Sequence, residues 1–515
     1  MKKIIYSLVL FVSSILYSSC NTLDMAPEDY YGSGNFWNNE AQVKGYLLGM
    51  HAQLRDNYTM FFYLGEARGG TQRTGTSSED TSLDNERIKT NLLDKDNTGI
   101  NNWNGLYNPL MNVNHFIQKV ETECPFLSEA SRKSYLAPAY GIRALYYFML
   151  YRTYGGVPLV TTVELLNGKV SADKFYIPRA TPEETLALVK SDINKSETLY
   201  GSSFAITKRS EWSKAATLML KAEVYLWSAK VSTGNHAALG KADLEIAKTA
   251  LQPIIGKYEL LTNFQELYST KESKEVIFSI HFADTEASNW GGMFLYQNSV
   301  FLDQKYGRNG KIIKGDTLDL KGTGGVFRHE YKESFWRSYD ETDTRRDATF
   351  MEYYNEAQMK TFGVVMKKGI GSVNATNNRI YDNDILVYRY ADALLMMAEV
   401  ENGLGNPCAN YINEIRKRAY GKNYSLTVAY LEGSYAENEL AILKERDKEF
   451  VWEGKRWFDV VRMHAADRSS LAFSALANYP NTSPLILKEN AHLLLWPIDV
   501  NTLTNNKELT QTPGY

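Results

Sequence analysis

The stretch ADALLMMAEVENGLGNPCANYINEIRKRAYG, Ala391 to Gly421, decides the architecture. Ala391, Leu395 and Ala398 share one helical face, and Gly403-Leu404-Gly405 ends that helix. Pro407 opens a second helix, which carries Ile412, Ile415 and Ala419 and closes at Gly421. Two helices joined by so short a turn lie antiparallel. Small alanines at the crossing let the axes approach closely, as in tetratricopeptide-like (TPR-like) hairpins. No clean period of about 34 residues runs through the chain, so the repeats are degenerate.

An earlier block has the same character. Leu136, Tyr140, Ala144, Phe148 and Tyr151 mark one helix face, which Gly155-Gly156 stops and Pro158 keeps from resuming. Thr181, Pro182 and Glu184 form a capping-box signature at the start of the next helix. Ala215, Leu218, Ala222, Tyr225 and Ala229 make another stripe, ended near Gly234, and Asp243 to Ile255 forms a further amphipathic helix. Between the blocks, Thr262 to Asp384 reads differently. Glu275 to Phe282 has the β-branched and aromatic content of a strand. Many glycines follow, interleaved with Trp290, Tyr296, Trp336 and other rings. A long Gly-rich connection of this kind is functional or disordered, and its aromatics argue against disorder. Arg68 to Asn102 is a second loop-like stretch, rich in Thr, Ser, Asp and Asn.

The first residues read as an export signal. Lys2 and Lys3 precede an apolar run, Ile4 to Leu16, too short to span a bilayer. Ser18-Ser19 then leads into Cys20, the expected site of lipidation, with Tyr17 standing where such signals usually carry Leu. The chain therefore divides into a signal peptide (1–19), a lipidated tether (20–35) and one folded unit (36–515). TPR-like helices fill mainly 36–261 and 385–465, and a loop-rich ligand region spans about 262–384. No later stretch is apolar enough to cross a membrane. The net charge of −3 and the absence of a basic block exclude nucleic acid as a partner. With Cys20 acylated, Cys124 and Cys408 remain, and two free thiols are expected rather than a bridge.

Catalytic signatures are missing: no G-x-S-x-G, no H-E-x-x-H, no P-loop. The seven histidines form no i, i+4 pair. Asp94 to Gly99 resembles the start of a calcium loop, but Gly105 stands where the bidentate Glu belongs, so a solvated polar turn is expected and no metal or cofactor. A glycosidase needs two carboxylates without fixed spacing, so the sixty acidic residues leave that alternative open. The thirty-five tyrosines and nine tryptophans are more informative. Flat rings cover the apolar C–H face of a sugar, while Asn, Asp, Arg and Gln satisfy its hydroxyl rim. Any single ring is more often core than ligand platform. On position, Trp290 and Tyr296 are the expected stacking residues, with Trp336 as a further candidate. Arg68, Arg73, Asp84 and Asn91 are the expected hydroxyl partners.

Several stretches, in order, resemble the SusD-like (RagB/SusD) family. These are Cys20 with Leu23-Asp24 and Pro27; Phe36-Trp37 with GMHAQLR (49–55); and RALYYFMLYRTYGGVP (143–158). DTRRDATF (343–350), YRYADALLMMAE (388–399) and NEIRKR (413–418) follow. ERDKEFVWEGKRWFDVVRM (445–463) and the ending Trp496-Pro497-Ile498 with QTPGY (511–515) complete the match. The resemblance implies a mainly α fold: four degenerate TPR-like hairpins, an irregular loop-rich second half and a few short strands. It also implies an outer-membrane lipoprotein that captures oligosaccharides for a SusC-like TonB-dependent transporter and is not an enzyme. A peptide-capturing lid of the same architecture is the alternative. A plain TPR scaffold that binds only proteins is another. The family's ligand residues do not lie in these motifs. Glu449, Glu453 and Arg456, at i, i+4 and i+7, are expected on one helix face as ion pairs tying helices together, with Glu445-Arg446 in the same buried network.

Overall fold

In the computed structural model the described residues are 36–74, 83–100, 103–163, 176–205, 208–291, 301–321, 329–357 and 362–515. Residues 1–35, which hold the expected signal peptide and the expected tether with Cys20, lie outside them, as does Tyr296. The helices run in chain order as α1 (Glu40–Phe62), α2 (Leu83–Thr90), α3 (Asn104–Thr122), α4 (Glu129–Tyr154), α5 (Pro182–Tyr200), α6 (Lys214–Lys230) and α7 (Lys241–Leu251). After the loop-rich part come α8 (Tyr390–Leu404), α9 (Ala409–Tyr420), α10 (Tyr435–Glu449) and α11 (Arg456–Arg462).

The hairpin read from Ala391–Gly421 is α8–α9. Gly405 ends α8 in the left-handed conformation, φ 83°. The Asn406 N–H reaches back to the Glu401 carbonyl at 2.8 Å, the bond that satisfies an orphan C-terminal carbonyl. The second helix starts two residues after Pro407. Glu432 explains the offset, because its carboxylate accepts the Cys408 and Ala409 amides, both at 2.9 Å, and so caps α9 from a distant loop. Three further pairs stack beside this one: α1–α3, α4–α5 and α6–α7. The α5 capping box is present, with both the Thr181 hydroxyl and the Glu184 side chain engaged. The long helix α4 is buried continuously from Leu136 to Tyr154. It lies between α3 and α5, and a helix enclosed by neighbours on several sides is apolar nearly all round. Arg143 is tolerated there because Asp192 of α5 receives it bidentately, at 2.7 Å twice.

The fold is mainly α, with three two-stranded antiparallel sheets among the described residues. The strand expected at Glu275–Phe282 is β1 (Val276–Ile280). The others are β2 (Phe350–Tyr354), β3 (Phe362–Met366), β4 (Ser372–Val373), β5 (Arg379–Ile380) and β6 (Ile385–Arg389). β1 pairs β6, β2 pairs β3 and β4 pairs β5. A second hydrophobic cluster under the loops gathers Tyr331, Phe335, Trp336, Phe350 and Val365. Cys124 and Cys408 are buried and free. At the C-terminus, Gln511 exchanges two 2.7 Å bonds with the Ile498 backbone, and the Tyr515 hydroxyl donates to the Leu495 carbonyl.

The charged motif 445–463 departs from the expected single helical face. α10 stops at Glu449, residues 450–455 form a turn, and α11 begins at Arg456. Glu449 and Arg456 therefore serve different partners. The Glu449 carboxylate takes Arg389 at 2.6 Å, Arg345 at 3.0 Å and Arg418. Arg456 pairs Asp447 at 2.7 Å. Glu445 bonds Arg345 and Arg416, and Arg446 bonds Asp392 and Asp459. These groups tie helices together inside the protein, though from two helices and a turn and not from the one face that the spacing suggested.

Candidate functional site

The site forms where α1 ends. Past Phe62 the chain makes one π-helical turn, Tyr63–Ala67, a geometry that recurs at functional sites. It sets Phe62, buried, beside Tyr63, half-buried, with ring centroids 5.7 Å apart. The turn that interrupts the charged motif comes down on this end. Trp452 lies at its tip with φ 67°, a left-handed conformation that a bulky residue rarely adopts. Its indole sits 4.1 Å from Phe62, 5.6 Å from His329, and 5.5 Å from Trp290 at an interplanar angle of 27°. Trp290 approaches from the loop after β1 and donates its backbone N–H to the Tyr58 hydroxyl. Its ring also lies 5.6 Å from Tyr63 and 5.5 Å from Phe62.

Phe62 and His329 are buried, and Tyr63, Trp290 and Trp452, packed against them, are each half-buried. The polar edge comes from two paired segments. Gln72 bridges Tyr331, its amide oxygen lies 2.9 Å from His329 Nδ1, and the Arg73 N–H donates to the Glu330 carbonyl. The half-exposed Arg73 guanidinium then reaches both Glu330 carboxylate oxygens at 3.2 Å. Burial pushes the Glu330 carboxyl up, against the opposing pull of Arg73. Flat rings beside a guanidinium and a carboxylate suit a ligand with an apolar face and a hydroxyl rim. Three open hollows of about 620, 640 and 760 Å³ lie elsewhere, and none is lined by Trp290 or Trp452. The second of them shares the Trp290 loop through Ala287 and runs along α1 past Gln53, Arg55 and Asp56.

Of the residues expected to meet ligand, the structure brings Trp290 and Arg73 into one neighbourhood. It draws others inward. Arg68 is 0% exposed. Its Nε donates to Asn91 Oδ1 at 2.7 Å, another arm reaches the Leu493 carbonyl, and its guanidinium lies 4.1 Å from the Trp457 ring and 5.2 Å from that of Trp496. Arg68 and Asn91 therefore pair with each other inside the core, and neither is offered to a ligand. Arg68→Ala is expected to lower stability by about 2–4 kcal/mol and to leave ligand affinity unchanged. Chemical denaturation alongside a binding titration checks both. Trp336 is 7% exposed and packs on Phe362 at 5.0 Å within the second cluster, so it too is core. Asp84 falls on α2, inside the stretch expected to be loop, and its side chain lies outside the described residues, as does the whole of Tyr296. Asp94 accepts the Asp96 and Asn97 amides, both at 2.8 Å, which is a self-satisfied polar turn. Among the described residues no group of three His, Cys, Asp or Glu side chains could hold a metal ion.

Trp452 and Tyr63 are the rings that sequence reading missed. Trp452 lies within a motif whose charges dominate its pattern. The one local signal is Gly454, two residues on, a poor helix residue in an otherwise helical stretch.

The family model described as "SusD family" matches residues 352–515, and that described as "Starch-binding associating with outer membrane" matches residues 23–226. A SusD superfamily protein from Bacteroides fragilis, of solved structure, is 38% identical with a TM-score of 0.85, over 93% of this chain and 100% of that one. A SusD-like protein of Formosa agariphila is 26% identical over 100% of this chain and 99% of its own length. The starch-binding protein SusD of Bacteroides thetaiotaomicron is 24% identical over 99% of this chain and 98% of its own. With a relative 38% identical along that relative's whole length, and family matches at both ends, this chain belongs to the SusD family.

Proposed function

We propose that the protein is a lipid-anchored surface protein of the outer membrane that captures oligosaccharides and passes them, unaltered, to a SusC-like TonB-dependent transporter. The carrying observation is the Trp290–Trp452 pair, two half-buried tryptophans with indoles 5.5 Å apart at 27°. Stacking on a sugar face uses such rings, and the half-exposed Arg73, oriented by the buried Glu330, supplies donors at the edge. The family description, starch-binding and associated with the outer membrane, supports the same reading. Anchoring rests on the export signal and Cys20, and acyl chains there hold the protein by burying methylenes.

Capture of peptide in the same architecture would rest on backbone hydrogen bonds and side-chain pockets. The paired rings weigh toward sugar. The deciding experiment incubates the purified chain with mixed glycan and peptide arrays and assays the recovered ligands. Saturable glycan binding with the sugar recovered intact supports capture. Binding confined to peptides, or release of shortened sugars, overturns it.

A further inference from the structure

The platform depends on a backbone conformation that Trp452 does not prefer, and something must hold it there. The turn at 450–454 carries two left-handed residues, Trp452 at φ 67° and Gly454 at φ 69°. Both of their amides point to one side chain. Glu66, on the π-helical turn, accepts the Trp452 N–H at 2.7 Å on Oε1 and the Gly454 N–H at 2.8 Å on Oε2. Its Oε1 also takes the Tyr331 hydroxyl at 2.7 Å, which links the clamp to the segment bearing His329 and Glu330. We infer that Glu66 is the positioning residue of the aromatic platform, holding the Trp452 turn in register with Trp290.

Three observations separate this role from a general packing one. Glu66 is 2% exposed and its two oxygens are taken by three donors, so it is not itself a ligand contact. Those partners are two backbone amides and a phenol, all neutral. Glu449, by contrast, is bonded by arginines and Glu453 by Arg389 and Lys368. A buried carboxylate whose hydrogen bonds all come from neutral donors is costly, and burial pushes its carboxyl up against the pull of those bonds and of the Lys368 charge. Finally, the residue beside it is shaped for the same turn. A Cβ at Gly65 would stand 1.8 Å from the Gly454 carbonyl oxygen, so the π-turn and the Trp452 turn meet backbone to backbone only because residue 65 is glycine.

The inference rests on the platform reading for its purpose, but its test needs no ligand. Trp290 and Trp452 form the one Trp–Trp ring pair among the described residues, so an exciton couplet in the circular dichroism spectrum reports on their geometry. Glu66→Ala is expected to abolish the couplet while the helical signal stays, and Trp452→Phe to abolish it as the reference. Glu66→Gln keeps one carbonyl acceptor and is expected to restore part of it. A folded Glu66→Ala protein with the wild-type couplet overturns the assignment. Where Glu66→Ala does not accumulate folded, hydrogen exchange on Glu66→Gln decides. The Trp452 or the Gly454 amide must exchange about tenfold faster, having lost a charge-assisted acceptor, and wild-type protection of both overturns it. Loss of the couplet with unchanged glycan affinity upholds the positioning role and counts against the glycan platform instead.

Discussion

Trp452→Ala is expected to weaken oligosaccharide binding by roughly thirty- to hundredfold, the loss of about 2–3 kcal/mol that truncating a central aromatic contact causes. Its indole shares the surface with Trp290, covers Phe62 at 4.1 Å and stands on a turn held by Glu66. Trp290→Ala is expected to act in the same direction. Because the two rings touch, the double variant should lose less than the sum of the single losses. Trp336→Ala is the contrast. That ring is core, so its removal lowers stability and leaves affinity alone. Calorimetric titration of the four variants against the glycan found on the array separates these outcomes. Unchanged affinity in both Trp452→Ala and Trp290→Ala would remove the platform as the binding site.

Glu449→Ala is expected to destabilise the fold by about 3–5 kcal/mol, the cost of leaving buried charges unpaired. Its carboxylate, 0% exposed, is shared by Arg345, Arg389 and Arg418, and its loss leaves three cations competing for Glu275, Glu445, Glu453 and Asp343. The same network sets the acid limit. Burial pushes the Glu449 carboxyl up, but Arg418, Arg389 and Arg345 outweigh it and hold the group far below the usual carboxylate range. Asp392 is likewise held low, burial being outweighed by Lys455 and Arg446. A depressed folded pKa means stability that is fully present above the unfolded value and is lost as pH falls toward the folded one. Stability contributed by this network is therefore expected to hold down to about pH 4 and to fall progressively below it. Glu66 and Glu330, shifted up by burial, act in the opposite sense. Denaturant midpoints measured across acid pH check the slope, and Glu449→Gln should flatten it. A wild-type slope in that variant would place the acid response elsewhere.

The SusD frame was legible because its signals are local. The α8–α9 hairpin followed from apolar spacing and a Gly/Pro turn, α5 from the Thr181 capping box, and β1 from the run of branched and aromatic residues. Each depends on neighbours within a few residues, where side-chain size, caps and left-handed glycines act directly. The charges of 445–463 were also readable as buried ties, since such density is not stable inside without partners.

The site was not legible in the same way, because exposure is a long-range property. Arg68 and Asn91 have the chemistry of sugar contacts, yet Trp457, Trp496 and the Leu493 carbonyl, far along the chain, enclose them. Trp290 and Trp336 both stand beside glycine-rich sequence, but Trp336 is packed under Phe362 while Trp290 stays half-buried. Trp452 has the pattern of a helix interior until Glu66, more than three hundred residues earlier, captures its amide and that of Gly454. Sequence settled which helices form and how they pair, since caps and periodicity act within a turn or two. Tertiary structure alone chose which rings face outward, since that depends on which distant side chains arrive first to cover or to clamp them.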